Sequence, residues 1–550
     1  MAAPTNIAGF LPAMAAARPD APAIVFPHGR DAHGKVAYTH YTYAQLDAES
    51  DAIARGLAAI GVGRGVRAAL MVRPSLEFFA LTFGLFKAGV VPVMIDPGIG
   101  LKALKTCLAE AAPEAFIGIP AAHVARLVLG WARSSLKIHV TVGRRLFWGG
   151  HTLAQVKARG RQSDAPAMAP TEADELAAIL FTSGSTGVPK GVAYQHRHFV
   201  AQVELIRDAY DIRPGEIDLP TFPLFALFDP ALGMTTIVPD MDATRPAQVD
   251  PARIFEAIRD FGVTNMFGSP ALLNTVGRAG EAQGIELPSL RRVISAGAPV
   301  TAAVQARFLG MLPAGARIHT PYGATEALPV ATVASDELLT EAVRAATDAG
   351  AGVLVGRPLP VNDVRIIRIV DGAIEAWTDD LPVPDGTIGE ITVVGPTVTE
   401  SYDHRPASTA LAKIRHGEAI RHRMGDVGYL DAEGRLWFCG RMAHRVETPA
   451  GTLFSVPCES IFNTHPGVYR TALVGVQRGG VVAPALCVER EPGGTQSEAE
   501  LRAGLLAIGA RHEQTREIKE VHFHPGFPVD IRHNAKIRRE ALAVWAQGRG

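Results

Sequence analysis

At 550 residues, 47% hydrophobic and 20% charged, the chain is long enough for two or more domains and apolar enough to bury a large core. A formal net charge of -1 excludes the basic balance of a nucleic-acid or anionic-membrane binder. Cys107, Cys439, Cys458 and Cys487 are spaced for neither a zinc site nor a disulfide framework, so buried thiols in a reducing cytoplasm are expected.

The N-terminus, Met1 to Asn6, has no basic region leading into an apolar core, and no signal peptide is expected. Apolar residues at Leu46, Ile53, Leu57 and Ile60 predict a helix over 43–61 with Thr42 as its N-cap. Strands follow at 68–72, 90–95 and 115–119, with helices at 75–88 and 101–111 between them. This alternation predicts βαβ units and a mainly parallel sheet. The stretch 76–95 is interrupted by Glu77, Lys87 and Pro92, so it reads as a helix and a strand rather than a transmembrane segment of about 20 apolar residues. Residues 144–174 break the rhythm. They predict an irregular connection with a short helix near 152–159 and a solvated basic face.

The apolar run Leu176 to Phe181 reads as a buried strand and leads into T-S-G-S-T-G-V-P-K-G at 182–191. Gly184 and Gly187 let backbone N–H groups approach an anion closely. Thr182, Ser183, Ser185 and Thr186 add hydroxyl donors, and Lys190 adds a full charge. The spacing is not that of the P-loop NTPases, but the loop suits a polyphosphate. A helix is predicted over 199–210. Phe222, Phe225 and Phe228 then recur every third residue, which fits core packing or the wall of an acyl pocket equally.

Alternation resumes over 250–330, with strands at 264–267 and 292–295. The turn Ser295-Ala296-Gly297-Ala298-Pro299 is small enough for a flat base to lie on its backbone, though an ordinary glycine turn would look the same. Tyr322-Gly323-Ala324-Thr325-Glu326 follows an apparent strand at 317–319. Glu326, beside Thr325, can supply the carboxylate oxygen that a hard Mg²⁺ ion prefers. A second, β-rich region opens at Ile388. Asp426, between Gly425 and Gly428, can accept both hydroxyls of a ribose. Gly440-Arg441 follows, then strands at 468–476 and 481–488, a helix at 497–508 and a basic segment around Lys536.

These motifs, in this order, resemble the adenylate-forming superfamily of acyl-CoA synthetases, peptide-synthetase adenylation domains and luciferases. The resemblance covers almost the whole chain. It implies an α/β fold: a large N-terminal domain of α/β subdomains with a smaller β-rich subdomain over 1–440, and a small mobile C-terminal α+β lid over 441–550. It implies ATP and Mg²⁺ as cofactors. Thr182, Ser183, Gly184, Ser185, Thr186, Gly187 and Lys190 would hold the polyphosphate, and Glu326 the metal. Ala296, Gly297, Ala298, Tyr322, Gly323 and Thr325 would surround the nucleotide. Asp426 would anchor the ribose, and Arg441 would touch ribose or phosphate. Lys536 would meet the substrate carboxylate and the α-phosphate, forming the catalytic set with Glu326, Thr325 and Lys190. Phe222, Phe225, Phe228, Gly297 and Gly323 would line the substrate pocket. The chain departs from the pattern at Ala443, where the hinge acid is usual, at Ala226, where many members carry histidine, and at Ala535, where glycine precedes the lysine.

Six longer runs carry a narrower resemblance: 222–233, 240–248, 295–300, 422–429, 436–441 and 528–537. They resemble the β-lactone synthetases of bacterial long-chain olefin biosynthesis. This implies adenylation of a 2-alkyl-3-hydroxy fatty acid, followed by attack of its own 3-hydroxyl to close a β-lactone. It also implies company with a thiolase-like condensing enzyme, an NADPH-dependent reductase and a β-lactone decarboxylase, with no nucleic-acid partner. Two further readings stay open: a fatty acyl-CoA or acyl-carrier ligase with changed hinge residues, and an inactive nucleotide-binding scaffold in a multienzyme assembly.

Overall fold

The computed structural model describes residues 4–182, 189–222, 225–529 and 536–549. Among these, one seven-stranded sheet runs in the order 151–152, 138–141, 115–118, 67–71, 91–94, 176–181, 191–195. Its strands are parallel except 191–195, which returns antiparallel on 176–181. The short Val/Ala/Ile strands are buried on both faces, which requires helices on both.

The helix Tyr43–Ala59 starts at Thr42, whose hydroxyl accepts from the Gln45 N–H while the Gln45 side chain accepts from the Thr42 N–H. The irregular connection holds the helix Leu153–Arg161, one to two residues beyond the expected bounds. The two helices cross almost backbone to backbone. A Cβ on Gly56 would fall 2.0 Å from the Val156 carbonyl oxygen, and one on Gly160 1.8 Å from that of Ala52. Lys157 and Arg161 both pair with Glu49, so part of the basic face is engaged rather than only solvated. The helix Leu76–Lys87 is capped by Ser75, and Lys87 is buried between Asp47 and Asp51 at 2.5 and 2.6 Å.

The larger sheet begins with a parallel half. Strand 22–30 pairs with 235–237, followed by 217–220, 265–267, 292–294 and 317–324. A turn at 325–326 reverses the chain into strand 327–334, and the strands 353–358, 436–441, 419–430, 389–394 and 363–367 continue antiparallel. The β-rich region thus starts about sixty residues before Ile388 and extends the same sheet. The parallel strands end at one edge, so the segments 221–222, 225–228, 268–269, 295–299 and 325–326 gather there.

After residue 441, strands 468–478, 481–490 and 520–523 form a third sheet with helices 455–462, 498–509 and 539–547. They enclose small cores that include Phe462, Leu473 and Leu486 on one side and Val474, Phe527 and Leu542 on the other. Gln514 donates to the Gly350 carbonyl at 3.1 Å, and Arg445 pairs with Asp371 at 2.6 Å. All four cysteines are buried and unpaired with one another. No helix among the described residues is long and apolar enough to cross a membrane.

Candidate active site

Strand 176–181 delivers Thr182 to the edge of the first sheet. The Thr182 N–H donates to the Lys190 carbonyl at 3.0 Å, closing the base of the phosphate loop. Ser183, Gly184, Ser185, Thr186 and Gly187 lie outside the described residues. The Lys190 ammonium stands 5.0 Å from the centre of the Tyr402 ring, within cation–π range.

The pentapeptide at 322–326 does not follow its strand but completes it. The strand runs to Ala324, and Thr325 and Glu326 make the turn. Gly323 has no room for a side chain: a Cβ would lie 2.6 Å from Leu328 Cδ1 and 2.7 Å from the Ala327 carbonyl oxygen. The Tyr194 hydroxyl donates to the Thr325 carbonyl. The Glu326 carbonyl accepts from the Thr399 N–H at 2.9 Å and from its hydroxyl at 3.1 Å. The Tyr402 hydroxyl donates to Glu326 Oε1 at 2.6 Å. Among the described residues no three His, Cys, Asp or Glu side chains converge into a metal cage. Glu326 therefore fits an ion that takes one protein carboxylate and completes its shell with phosphate oxygens and water, as Mg²⁺ does on nucleotides.

Strands 419–430 and 436–441 place Asp426 opposite Arg441. The Tyr322 hydroxyl donates to Asp426 Oδ2 at 2.8 Å, and Arg441 Nε lies 3.1 Å from Oδ1. Oδ1 is buried, yet no donor is aligned on it. A buried carboxylate oxygen left in this way is costly, and a ligand hydroxyl would satisfy it. Burial raises the Asp426 carboxyl above its ordinary range, opposed by Arg441, Tyr322 and Lys536. Arg441 is held more firmly charged by Asp426, with smaller contributions from Tyr322, Glu326 and Tyr402. Lys536 thus lies within electrostatic reach of Asp426. Beside the lysine, Val529 bridges Ile537, and the Arg538 N–H donates to the Pro528 carbonyl at 2.9 Å.

Ala296, Gly297 and Ala298 form the turn after strand 292–294, with Gly297 in the left-handed region at φ +96°. The three phenylalanines separate. Phe222 and Phe225 lie 5.5 Å apart, and Phe225 stacks at 4.2 Å on Phe267, the last residue of its strand. Phe228 packs instead against the core that holds Phe199. Sequence reasoning assigned no role to Tyr194, Phe267, Thr399 or Tyr402, whose partners lie far from them in the chain.

The AMP-binding enzyme family model matches residues 11–403. Over 548 residues the chain is 57% identical to an olefin beta-lactone synthetase of Xanthomonas campestris pv. campestris, covering 98% of this chain and 97% of that one. It is 56% identical to an olefin beta-lactone synthetase of Stenotrophomonas maltophilia, covering 99% and 98%. Among solved structures, ATP-bound MatB from Rhodopseudomonas palustris shares the fold with a TM-score of 0.77 at 22% identity, covering 99% of both chains. The chain belongs to the AMP-binding, adenylate-forming enzymes and, among them, to the olefin beta-lactone synthetases.

Proposed function

We propose that this enzyme adenylates the carboxylate of a 2-alkyl-3-hydroxy fatty acid and then closes the acyl-adenylate to a β-lactone. The observation that carries the nucleotide half is the buried, donor-less oxygen of Asp426, set between Tyr322 and Arg441 and within the field of Lys536. The lactone half rests on the likeness to the two synthetases.

In the first step a substrate carboxylate oxygen bonds to the α-phosphorus of ATP, and the bond to the β-phosphate bridging oxygen breaks. Pyrophosphate leaves. Negative charge spreads over the phosphoryl oxygens, and preorganised cations stabilise that spread more than they stabilise the ground state. Lys536 serves the α-phosphate and carboxylate, and Lys190, with Thr182 to Gly187, serves the departing phosphates. Glu326, beside Thr325, would hold Mg²⁺, which would supply charge neutralisation for the departing phosphates. Asp426 takes the ribose hydroxyls, Arg441 the ribose or phosphate, and Ala296 to Ala298 with Tyr322 and Gly323 the base.

In the second step the 3-hydroxyl oxygen bonds to the acyl carbon, AMP departs and the hydroxyl proton is released. An internal nucleophile needs neither a thiol nor a second binding site, and its effective molarity reaches about 10⁵–10⁸ M in well-oriented cases. Phe222, Phe225, Gly297 and Gly323 shape the acyl pocket, with Phe228 beneath. The C-terminal part, 441–550, acts as the lid. The substrate comes from a thiolase-like condensing enzyme and an NADPH-dependent reductase, and the product passes to a β-lactone decarboxylase in the cytoplasm.

The test is a product assay with ATP, Mg²⁺ and a racemic 2-alkyl-3-hydroxy acid, without coenzyme A, read by proton NMR. Lactone ring protons formed together with AMP support the reading. Pyrophosphate without lactone, and a thioester once coenzyme A is added, would make the enzyme an acyl-CoA ligase.

A further inference from the structure

Residues 399–403 form a strap between the two halves of the phosphate site. Tyr402 bridges Val192, the Ala193 N–H donates to the Ser401 carbonyl at 3.1 Å and the Asp403 N–H to the Gly191 carbonyl at 2.7 Å. The strap is thus sewn to the strand that leaves the phosphate loop. At one end Thr399 holds the Glu326 carbonyl twice. At the other, Tyr402 holds the Glu326 carboxylate and lies beside the Lys190 ammonium.

What holds the strap is a lysine in the interior. Lys413 opens strand 413–416 opposite His422 and is 6% exposed. Its ammonium donates to the Thr399 carbonyl and, at 3.3 Å, to the Thr399 hydroxyl. That hydroxyl accepts from Lys413 and donates to Glu326, so the three groups form one chain. Burial pushes the Lys413 ammonium down to about 7, opposed by Glu326 and Glu400, while His198 and His422 face it and are themselves held neutral by burial.

A buried ammonium is a costly way to fill space. Replacing a whole buried ionic cluster with apolar side chains is often neutral for the fold, but removing one donor strands its acceptors at a cost of about 1–3 kcal/mol. What only a strong donor can do here is fix both oxygens of Thr399. We propose that Lys413 is a positioning residue for adenylation: through Thr399 and the strap it sets the Glu326 carboxylate and the Lys190 ammonium against the polyphosphate. The proposal rests on the assignment of Glu326 and Lys190 given above.

The test uses Lys413→Met, Lys413→Arg and Tyr402→Phe in the full chain, measuring pyrophosphate release against free Mg²⁺ and thermal unfolding of each variant. Outer-shell partners of metal-binding groups commonly account for about 10–100-fold in metal affinity or activity. Lys413→Met is expected to raise the Mg²⁺ needed for half-maximal rate, or lower kcat, by roughly that range at temperatures where the variant is fully folded, and Lys413→Arg to recover part of the loss. Combined with Tyr402→Phe the losses should not add, because both act on Glu326. If Lys413→Met does not fold, Thr399→Val removes the hydroxyl link alone and carries the same expectation. Wild-type Mg²⁺ dependence and kcat would overturn the proposal, as would a fall in unfolding temperature with unchanged Mg²⁺ dependence. Glu326→Gln separates the two claims: if it leaves Mg²⁺ dependence unchanged, the metal assignment fails whatever Lys413 does.

Discussion

Asp426→Asn tests the nucleotide site most directly. The asparagine keeps the shape of the side chain but offers one acceptor oxygen and one amide donor. Beside it stand the Tyr322 hydroxyl, which donates at 2.8 Å, and the Arg441 guanidinium, whose Nε lies 3.1 Å away without being aligned on the carboxylate. Either orientation points the amide at one of them or at a ribose hydroxyl. One charge-assisted hydrogen bond to ribose is lost and the other becomes neutral. Hydrogen bonds to charged groups contribute about 1.5–3 kcal/mol and neutral ones about 0.5–1.5. The combined loss is about 2–4 kcal/mol, or roughly 30–1,000-fold in kcat/KM for ATP. The assay is pyrophosphate release under varied ATP at saturating hydroxy acid, with thermal unfolding as the check on folding. A second arm uses 2′-deoxy-ATP, which should penalise the wild type strongly and the variant little. Burial raises the Asp426 carboxyl, so ATP binding by the wild type should weaken as the pH falls through that raised value, and Asp426→Asn should lose this dependence. A variant within threefold of wild type for ATP, still sensitive to loss of the 2′-hydroxyl, would refute Asp426 as the ribose anchor.

Lys536→Ala should lower pyrophosphate release by about 10²–10³; near-normal release would remove it from the chemistry. Phe225→Ala deletes the ring stacked on Phe267. Losing a buried phenylalanine contact of about 1.5–3 kcal/mol should lower kcat/KM for a long-chain hydroxy acid roughly 10–100-fold while leaving KM for ATP unchanged; equal effects on both substrates would place Phe225 in the scaffold instead. Asp218 and Asp229 are buried together behind the acyl segment, joined to Asn265 and Thr236 respectively. Burial pushes the Asp218 carboxyl up to about 7. The fold therefore favours its protonated form. Its contribution to stability is complete below the unfolded value of about 4 and is lost as the pH rises through about 7. Asp218→Asn should flatten the fall in unfolding temperature between about pH 4 and 7, and an unchanged slope would sink the assignment.

Local chemistry was readable from the sequence wherever one short segment carried it. The Thr42 cap, the βαβ alternation and each glycine-rich motif were carried by short runs of residues. The spacing of Phe222, Phe225 and Phe228 was ambiguous because a period of three fits no single regular element. The chain enters a 3₁₀ turn at Phe225–Leu227 and a short helix at Asp229–Leu232, which sends Phe228 inward while Phe225 meets Phe267. The extension of the large sheet past residue 327 had no local mark, since it depends on a turn whose residues were read for their chemistry alone. Least legible were the contacts that unite the site. Tyr402 meets Val192 and Glu326, and Lys413 meets Thr399, across distances in sequence that no periodicity records.

The departure at the hinge bears on which step separates this enzyme from ordinary ligases. Met442–His444 forms a single 3₁₀ turn around Ala443, and the neighbouring Arg445, 11% exposed, pairs with the exposed Asp371. The missing acid does not by itself choose the acyl acceptor. On the function proposed here, the choice falls to the acyl region, where Phe225 on Phe267 and the turn at Gly297 would set the rotamer of a substrate that carries its own nucleophile. Once the 3-hydroxyl is aligned, an intramolecular attack has an effective molarity of about 10⁵ M or more, far above any thiol at cellular concentration. On the same proposal a lid under no demand to admit a second substrate would keep only the task assigned to Lys536, and alanine at 443 and 535 would be tolerable for that reason.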